Sequence, residues 1–262
     1  MASFTTFLDI LPDPNTPIGD AGQALATGSG ASPGQAYGIV GPGFSSVKLS
    51  SNKKTMVSKT NSGRAVSRSI AGHTWQVDIK YNPLTRDQFE PVYGFLLSRL
   101  GRLNPFYVKL PQQSVSRNST FTTYAASNTI RVEAGDETGD IVPAGRTYML
   151  IDGFNSTSGE PRPGDMFTIT DAVGNANHVK AYRITRVETH SNYNSAVTNY
   201  PAGNTEKRIH FTPPLAYLVT DNSVLDFTDP MIRVRLTGDV QEYSLGTNNL
   251  YSFSLKLEEA LP

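Results

Sequence analysis

The sequence predicts a mainly β protein that carries one amphipathic helix. Residues 75–81 alternate strictly between apolar and polar side chains, as a strand with one buried face requires. Residues 250–257 alternate in the same way, so both runs are suited to one sheet. From residue 112 to residue 205, short β-prone runs follow one another without a helical period, which favours a small β-sandwich or barrel.

The helix is predicted from residue 86 to residue 100. Thr85 and Gln88 have the spacing of a capping box, and Gly101 is placed to end the helix. Pro91 removes one backbone donor, so we expect a kink or a late start. The predicted buried stripe follows the helical period and comprises Phe89, Val92, Tyr93, Leu96, Leu97 and Leu100.

Two domains are expected. Apolar alternation resumes after residue 206, which predicts a discontinuous main domain formed by 1–111 and 206–262, with an inserted β-domain at 112–205. Residues 13–46 are rich in Gly, Ala, Ser and Pro and have little apolar surface. We expect them to form a mobile arm of the main domain.

The overall composition limits the classes of function. The chain has 23 basic and 23 acidic residues, a formal net charge of zero and no cysteine. It therefore lacks the basic balance of a nucleic-acid binder and any site for a disulfide, and a neutral surface permits self-association. The apolar start ends at Pro12, too early for a signal peptide or a membrane span, so we expect a cytoplasmic product without a membrane partner.

Basic residues concentrate in one predicted hairpin. Short β-prone runs flank the turn at 61–63, and no acidic residue occurs between Asp20 and Asp78. Three explanations remain open: a solvated edge hairpin protected by its lysines, a docking surface for an acidic neighbouring subunit, and a contact with nucleic acid. The candidate interface residues are Lys53, Lys54, Lys59, Arg64 and Arg68.

No motif predicts catalysis, a metal site or a cofactor. None of the four histidines, His73, His178, His190 and His210, lies near a nucleophile elbow. Residues 28–30 lack the spacing of a phosphate-binding loop, and residues 136–140 lack that of a calcium loop. Glu258 and Glu259 are strand neighbours that point to opposite faces, so they cannot share a substrate, and we expect a solvated strand end or an inter-subunit salt contact.

One set of motifs resembles a known family. The set comprises Ser62–Arg68, Trp75 at the start of its alternating strand, Tyr81–Thr85, Phe95–Leu96, Leu100–Arg102, Pro105–Phe106, Leu110–Pro111 and the closing Tyr251–Leu261. In this spacing the chain resembles distal tail proteins and minor tail proteins of the baseplate hub in tailed bacteriophages. The resemblance covers residues 60–111 best and 206–262 in part.

The resemblance implies a tail-tube-like β-sandwich with one flanking α-helix and a virion role, after assembly in the host cytoplasm. Copies of the chain would form a ring, usually of six, joining the tail tube to baseplate hub or fibre proteins. The hairpin at 53–71 would then contact a neighbouring subunit or line the tube, with no specific nucleic-acid partner beyond DNA passing through the lumen.

Two other classes of function remain open. A carbohydrate-binding or host-adhesion module is suggested by the predicted insertion and its loop tyrosines, Tyr193 and Tyr200. A glycoside or peptide hydrolase is the weaker option, because no acid and base pair can be named.

Overall fold

The structure is a computed structural model that describes residues 10–14, 43–134, 139–170, 178–190, 201, 203, 205–228, 230–239 and 241–261. Most of the predicted arm at 13–46 therefore lies outside the described residues, as do Tyr193, Tyr200 and most of 136–140. The described part of the chain is mainly β, as predicted.

Fifteen strands and two α-helices follow one another along the described chain. In order they are β1 (Phe44–Lys59), β2 (Ala65–Tyr81), α1 (Arg86–Ser98), β3 (Phe106–Lys109), α2 (Ser119–Ala125), β4 (Ile130–Glu133), β5 (Ile141–Val142), β6 (Tyr148–Asp152), β7 (Met166–Thr170), β8 (Ala181–Glu188), β9 (Lys207–Thr212), β10 (Val219–Thr220), β11 (Val224–Asp226), β12 (Met231–Leu236), β13 (Ser244–Leu245), β14 (Tyr251–Ser252) and β15 (Ser254–Glu259). A short 3-10 turn spans Pro111–Gln113.

The chain divides into two compact units. The first contains the described residues up to Val108 and Arg233–Ala260, and the second contains the described part of Lys109–Ile232. The second unit thus extends further along the chain than the insertion predicted at 112–205. The physical reason is that β9 pairs with β6 and β8, so Ile209 and Phe211 pack in that core instead of the first unit's core.

The first unit is organised around a five-stranded sheet in the order β1-β2-β15-β12-β3. The two alternating runs do share this sheet, because β15 pairs antiparallel with the inner half of β2, Leu257 opposite Val77. On β2, Trp75, Val77, Ile79 and Tyr81 are buried while the residues between them are not, which confirms the predicted core face.

Helix α1 begins where the capping box predicts. The Thr85 backbone N–H donates to Gln88 Oε1 at 3.0 Å, and the helix starts at Arg86 in spite of Pro91, so the start is not delayed. Its buried side chains are Gln88, Phe89, Val92, Phe95 and Leu96. The predicted buried stripe was therefore wrong at Leu97 and Leu100, which are 53% and 65% exposed. It also left out Phe95, which is buried.

The second unit contains a closed barrel of six antiparallel strands in the order β11-β4-β6-β9-β8-β7. Its core is apolar and includes Phe167, Tyr182 and Phe211. One helix in this region was missed: α2 starts at the N-cap Asn118, whose Oδ1 accepts from the Thr120 N–H, and it brings Phe121 into the core. Seven residues are too few to display a helical period in the sequence.

A buried carboxylate holds the segment before α2 in place. Asp165 is 4% exposed and accepts hydrogen bonds from the Ser116 hydroxyl and from the backbone N–H groups of Arg117 and Arg162. The last two are 3.2 and 2.7 Å long. Three hydrogen-bond donors compensate the burial of this charge. The Asp165 side chain therefore connects the segment before α2 to the turn that precedes β7.

Candidate functional site

The hairpin formed by β1 and β2 is the most exposed extended element of the first unit. Its two strands pair antiparallel from Phe44 opposite Tyr81 to Lys59 opposite Ala65. Only the inner half of β2 has a second neighbour, because β15 pairs with Lys80 to Gln76 and no further. Beyond that point the two strands pair only with each other among the described residues, and two isolated strands are only marginally stable in water.

A buried carboxylate marks the point where the hairpin leaves the sheet. Glu259 at the end of β15 is 5% exposed, and its Oε2 accepts from the Trp75 backbone N–H at 3.0 Å. The carboxylate thereby takes the place of a sheet partner for β2. Beside it, His73 Nε2 lies 2.8 Å from Ser51 Oγ and ties the two strands together. The prediction of a solvated strand end is therefore wrong for Glu259, which is a sheet-terminating acceptor.

Glu258 occupies the other face of β15. Its carboxylate forms ion pairs with Arg235 at 2.8 Å and Arg102 at 3.7 Å. These ion pairs lie within the chain, and the two neighbouring glutamates have separate surroundings.

The turn of the hairpin is well ordered by its own hydrogen bonds. The Thr60 N–H donates to the Arg64 carbonyl at 2.9 Å, and the Arg64 N–H donates to Thr60 Oγ1 at 3.2 Å. Gly63 has φ +80°, a conformation that glycine adopts without strain. The predicted turn is confirmed, and the tip is a defined structure.

Every one of the five candidate interface residues lies on this hairpin. Lys53, Lys54, Lys59, Arg64 and Arg68 are all exposed. No ion pair among the described residues involves any of them. The outer hairpin is thus a strongly basic ribbon, and the described residues supply no ion-pair partner for these five side chains.

Large apolar side chains are exposed on the same hairpin as these basic residues. Met56, Val57 and Val66 are 57%, 62% and 57% exposed. Because directly opposite residues share a face, Met56 lies beside Arg68 on one face and Val57 opposite Ser67 on the other. Mixed apolar and basic side chains on a projecting ribbon are typical of a protein-binding surface and unusual for a purely solvated hairpin.

The two edges of the sheet differ in how they are protected. At β3, Ile10 forms a parallel bridge with Tyr107, and the Leu11 N–H donates to the Tyr107 carbonyl at 2.9 Å. At the opposite edge, β1 has no further strand beside it in the described sheet, and none of its residues is fully buried. One edge is therefore covered within the chain, whereas the β1 edge has no such cover among the described residues.

A second charged surface lies on the outside of the barrel. We define the acidic patch as Glu133, Asp152, Glu206 and Asp221, all partly exposed. Asp152 is opposite Arg131 in the β4–β6 register, and Asp221 Oδ1 accepts from the Ala134 N–H at 2.8 Å. Burial, followed by the charges of Glu133 and Asp221, raises the pKa of Asp152 in spite of Arg131, and Glu206 adds to the effect.

The histidines occupy structural positions. His178 is 4% exposed, and its Nε2 lies 2.7 Å from the Tyr182 hydroxyl, which itself accepts from the Ala216 N–H. His210 Nε2 lies 3.1 Å from the buried carboxylate of Glu188, and burial together with the guanidinium groups of Arg208 and Arg186 lowers the pKa of His210. His190 Nδ1 lies 2.7 Å from the Pro201 carbonyl.

No group of three or more potential metal-ligating side chains occurs within the part of the chain that the structure describes. No helix among the described residues is long and apolar enough to cross a membrane. Residues 28–30 lie outside the described residues.

Comparison with known proteins adds no assignment. Neither the family models nor the curated proteins contain a match to this chain. The function is therefore inferred from the geometry and charge of the surfaces described above.

Replacing Glu259 tests the sheet junction. Glu259→Ala leaves the buried Trp75 N–H without its acceptor, so we expect the unfolding free energy to fall by about 1–3 kcal/mol. Trp75 is the single tryptophan, so its fluorescence in urea reports on this junction. Glu259→Gln should lower the unfolding free energy by a smaller amount. Glu258→Ala is the neighbouring control and should lower it by about 1 kcal/mol or less. Equal losses for both alanine variants would contradict the assigned role.

Replacing Asp152 tests the electrostatic cost of the acidic patch. A raised pKa in the folded protein means that stability falls as pH rises above the ordinary value of 3.8. Asp152→Asn should therefore raise the midpoint temperature of thermal unfolding at pH 7. Near about pH 3 the carboxyl group is protonated in both the folded and the unfolded state, so the substitution should not raise this temperature there. The control is the exposed Asp140→Asn, expected to change little at either pH. A lower unfolding temperature for Asp152→Asn at pH 7 would contradict an unfavourable effect of burial and neighbouring carboxylates on the charged Asp152.

Proposed function

We propose that this chain is a structural virion protein of a phage tail tip, which forms a ring that connects the tail tube to the baseplate or fibre apparatus. The observation that carries the proposal is the exposed, basic and partly apolar outer half of the β1–β2 hairpin. An element of this kind is costly for a monomer, because it exposes Met56, Val57 and Val66 without a stabilising partner. It is suited to a chain that assembles with copies of itself.

We further propose that the first unit is a tail-tube-like β-sandwich with one flanking helix. Helix α1 packs through Phe89, whose ring stacks on Tyr251 of β14 at a centroid distance of 4.4 Å. The small β13–β14 sheet thus contributes to the same aromatic cluster. The edge of β1 adds a further surface for a neighbouring copy.

The proposed partners are copies of this chain, arranged six to a ring as the resemblance implies, together with tail-tube and baseplate-hub or fibre proteins. The proposed location of the protein is the virion tail. The sequence motifs of the first unit carry this part of the proposal, and the exposed hairpin supplies the physical means of assembly.

Removing the apolar groups from the hairpin tests this function. Met56→Ser, Val57→Ser and Val66→Ser combined should weaken self-association at least about tenfold, because apolar contact area is lost at the interface. The measurement is mass photometry of the intact chain across concentrations, with electron microscopy of the assembled particles. Leu103→Ser, at a position 71% exposed and outside the hairpin, is the matched control.

The wild-type measurement decides the proposal as a whole. A closed oligomer supports it, and a monomer at every concentration, in the free protein and in particles, would refute it. A folded triple variant that assembles as well as wild type would remove the hairpin from the interface.

A carbohydrate-binding or host-adhesion module of the tail is the second candidate. One observation favours it: the second unit has a polar cleft of about 380 Å³. The cleft is lined by Asn118, Asn155, Ser156, Gly159, Glu160, Arg162 and Lys207. Amide, hydroxyl, carboxylate and cationic groups in one cleft are suited to hydrogen bonds with sugar hydroxyl groups.

A glycan array with the full chain tests this candidate. If a glycan occupies the cleft, Arg162→Ala should reduce its affinity about tenfold or more through loss of a charged donor. Arg131→Ala, whose side chain is outside the cleft, should leave the affinity unchanged. An array without a hit, or equal loss for both variants, would exclude the cleft as a sugar site.

A further inference from the structure

The first unit has a cleft of its own, beside the point where β2 ends and β15 begins. Its volume is about 510 Å³, within the range of about 300–1,000 Å³ that is usual for small-ligand sites. Because four of its lining residues are serines, we call it the serine cleft. The lining comprises Ser45, Lys80, Tyr81, Glu242, Tyr243, Ser244, Ser252, Phe253 and Ser254, all of which belong to the first unit.

Strand alternation places the polar groups of the serine cleft on one surface. Phe253 is 6% exposed and turns into the core, so its neighbours Ser252 and Ser254 point outward, and both are exposed. Ser254 lies opposite Lys80 in the β15–β2 pair, and Ser252 lies opposite Ser244 in the β13–β14 pair. Directly opposite residues share a face, so three hydroxyl groups and one ammonium group lie together.

Most of these polar groups are available to a ligand. Five lining residues form no side-chain hydrogen bond or ion pair with any described residue, namely Lys80, Glu242, Ser244, Ser252 and Ser254. Ser45 differs, because its hydroxyl donates to the Lys80 carbonyl at 3.1 Å. The five residues offer an ammonium donor, a carboxylate acceptor and hydroxyl groups that can both donate and accept.

One side of the serine cleft is an aromatic ring in a fixed orientation. The Tyr243 side chain is 49% exposed. Its ring lies at centroid distances of 5.0, 5.3 and 5.7 Å from three other rings, those of Phe89, Tyr93 and Tyr251. A half-exposed ring that its neighbours already orient provides apolar contact at a low cost in conformational entropy.

This combination of groups favours one class of ligand. A phosphate or another strongly anionic group is disfavoured, because Lys80 is the single cation among the described lining residues and Glu242 is an anion. A purely apolar ligand would cover the serine hydroxyl groups without giving them a partner. A sugar ring has hydroxyl groups around its rim and C–H groups on its faces, so it can pair with the polar groups and lie on Tyr243.

We propose that the serine cleft binds a short neutral saccharide, with one sugar ring against the Tyr243 side chain. Glu242 accepts hydrogen bonds from sugar hydroxyl groups, and Lys80, Ser252 and Ser254 donate to sugar oxygens. This binding activity goes beyond the ring-forming function, because it uses no residue of the exposed hairpin. It is also a separate site from the polar cleft of the second unit.

Substitution of the aromatic ring tests the site. A glycan array of neutral glucose, galactose, mannose and N-acetylglucosamine oligosaccharides, probed with the full chain, identifies the sugar, and calorimetric titration gives its Kd. Tyr243→Ala should weaken binding at least about tenfold, whereas Tyr243→Phe keeps the ring and should stay within about threefold of wild type. The matched control is Leu245→Ala, 54% exposed on β13 and outside the lining, which should leave the Kd unchanged.

A second variant covers the case in which the loss of Tyr243 disturbs the aromatic cluster. Ser252→Ala with Ser254→Ala removes two exposed hydroxyl groups that have no described partner, so the fold should be retained. Loss of two hydrogen bonds should weaken sugar binding about tenfold. The fluorescence of Trp75 in urea checks that each variant is folded.

The outcomes separate the serine cleft from the other proposals. An array without a hit overturns the saccharide site and leaves the ring-forming function standing, because assembly is measured independently. A sugar whose Kd changes with Arg162→Ala, and with neither Tyr243→Ala nor the double serine variant, also overturns it, since that sugar occupies the second unit. Equal losses for Tyr243→Phe and Tyr243→Ala overturn the contact of the sugar with the ring.

Discussion

The arrangement of the first unit depends on the two different surroundings that one strand, β2, has along its length. Its inner half lies between β1 and β15 and buries Trp75, Val77, Ile79 and Tyr81, so it belongs to a sheet core. Its outer half has β1 as its only described neighbour. The hydrogen bond from the Trp75 N–H to Glu259 lies at the boundary, where β15 ends. The buried half anchors the exposed half, and this anchoring makes a long projecting hairpin possible.

The hairpin combines the two properties that matter most for specific association. Exposed apolar side chains give a favourable free energy when they are covered, and unpaired cations restrict which surface can cover them. The β1 edge adds backbone groups that a neighbouring chain can pair with. A well-ordered turn and the anchoring at Trp75 reduce the conformational entropy that binding would otherwise have to fix. Assembly is therefore the function that the physical chemistry of this surface supports best.

The second unit has a different character. Its closed barrel leaves no open edge among the six paired strands, and its buried polar groups, such as Asp165 and His178, have partners within the unit. What this unit offers to other molecules lies on its outside, in the acidic patch and in the polar cleft beside Asn155. A rigid scaffold with charged and polar surface features is suited to bind another molecule.

The sequence by itself determined the mainly β class, the core face of residues 75–81, the start of α1 and the basic hairpin, because each is encoded by local periodicity, capping or charge. Only the tertiary structure decided that β9 belongs to the barrel, that Glu259 is buried against Trp75, and that Leu97 is exposed while Phe95 is buried. Each of these depends on which distant strand or helix face supplies the neighbour. A local pattern specifies that a side chain is suited to burial, but only the packed chain specifies what covers it.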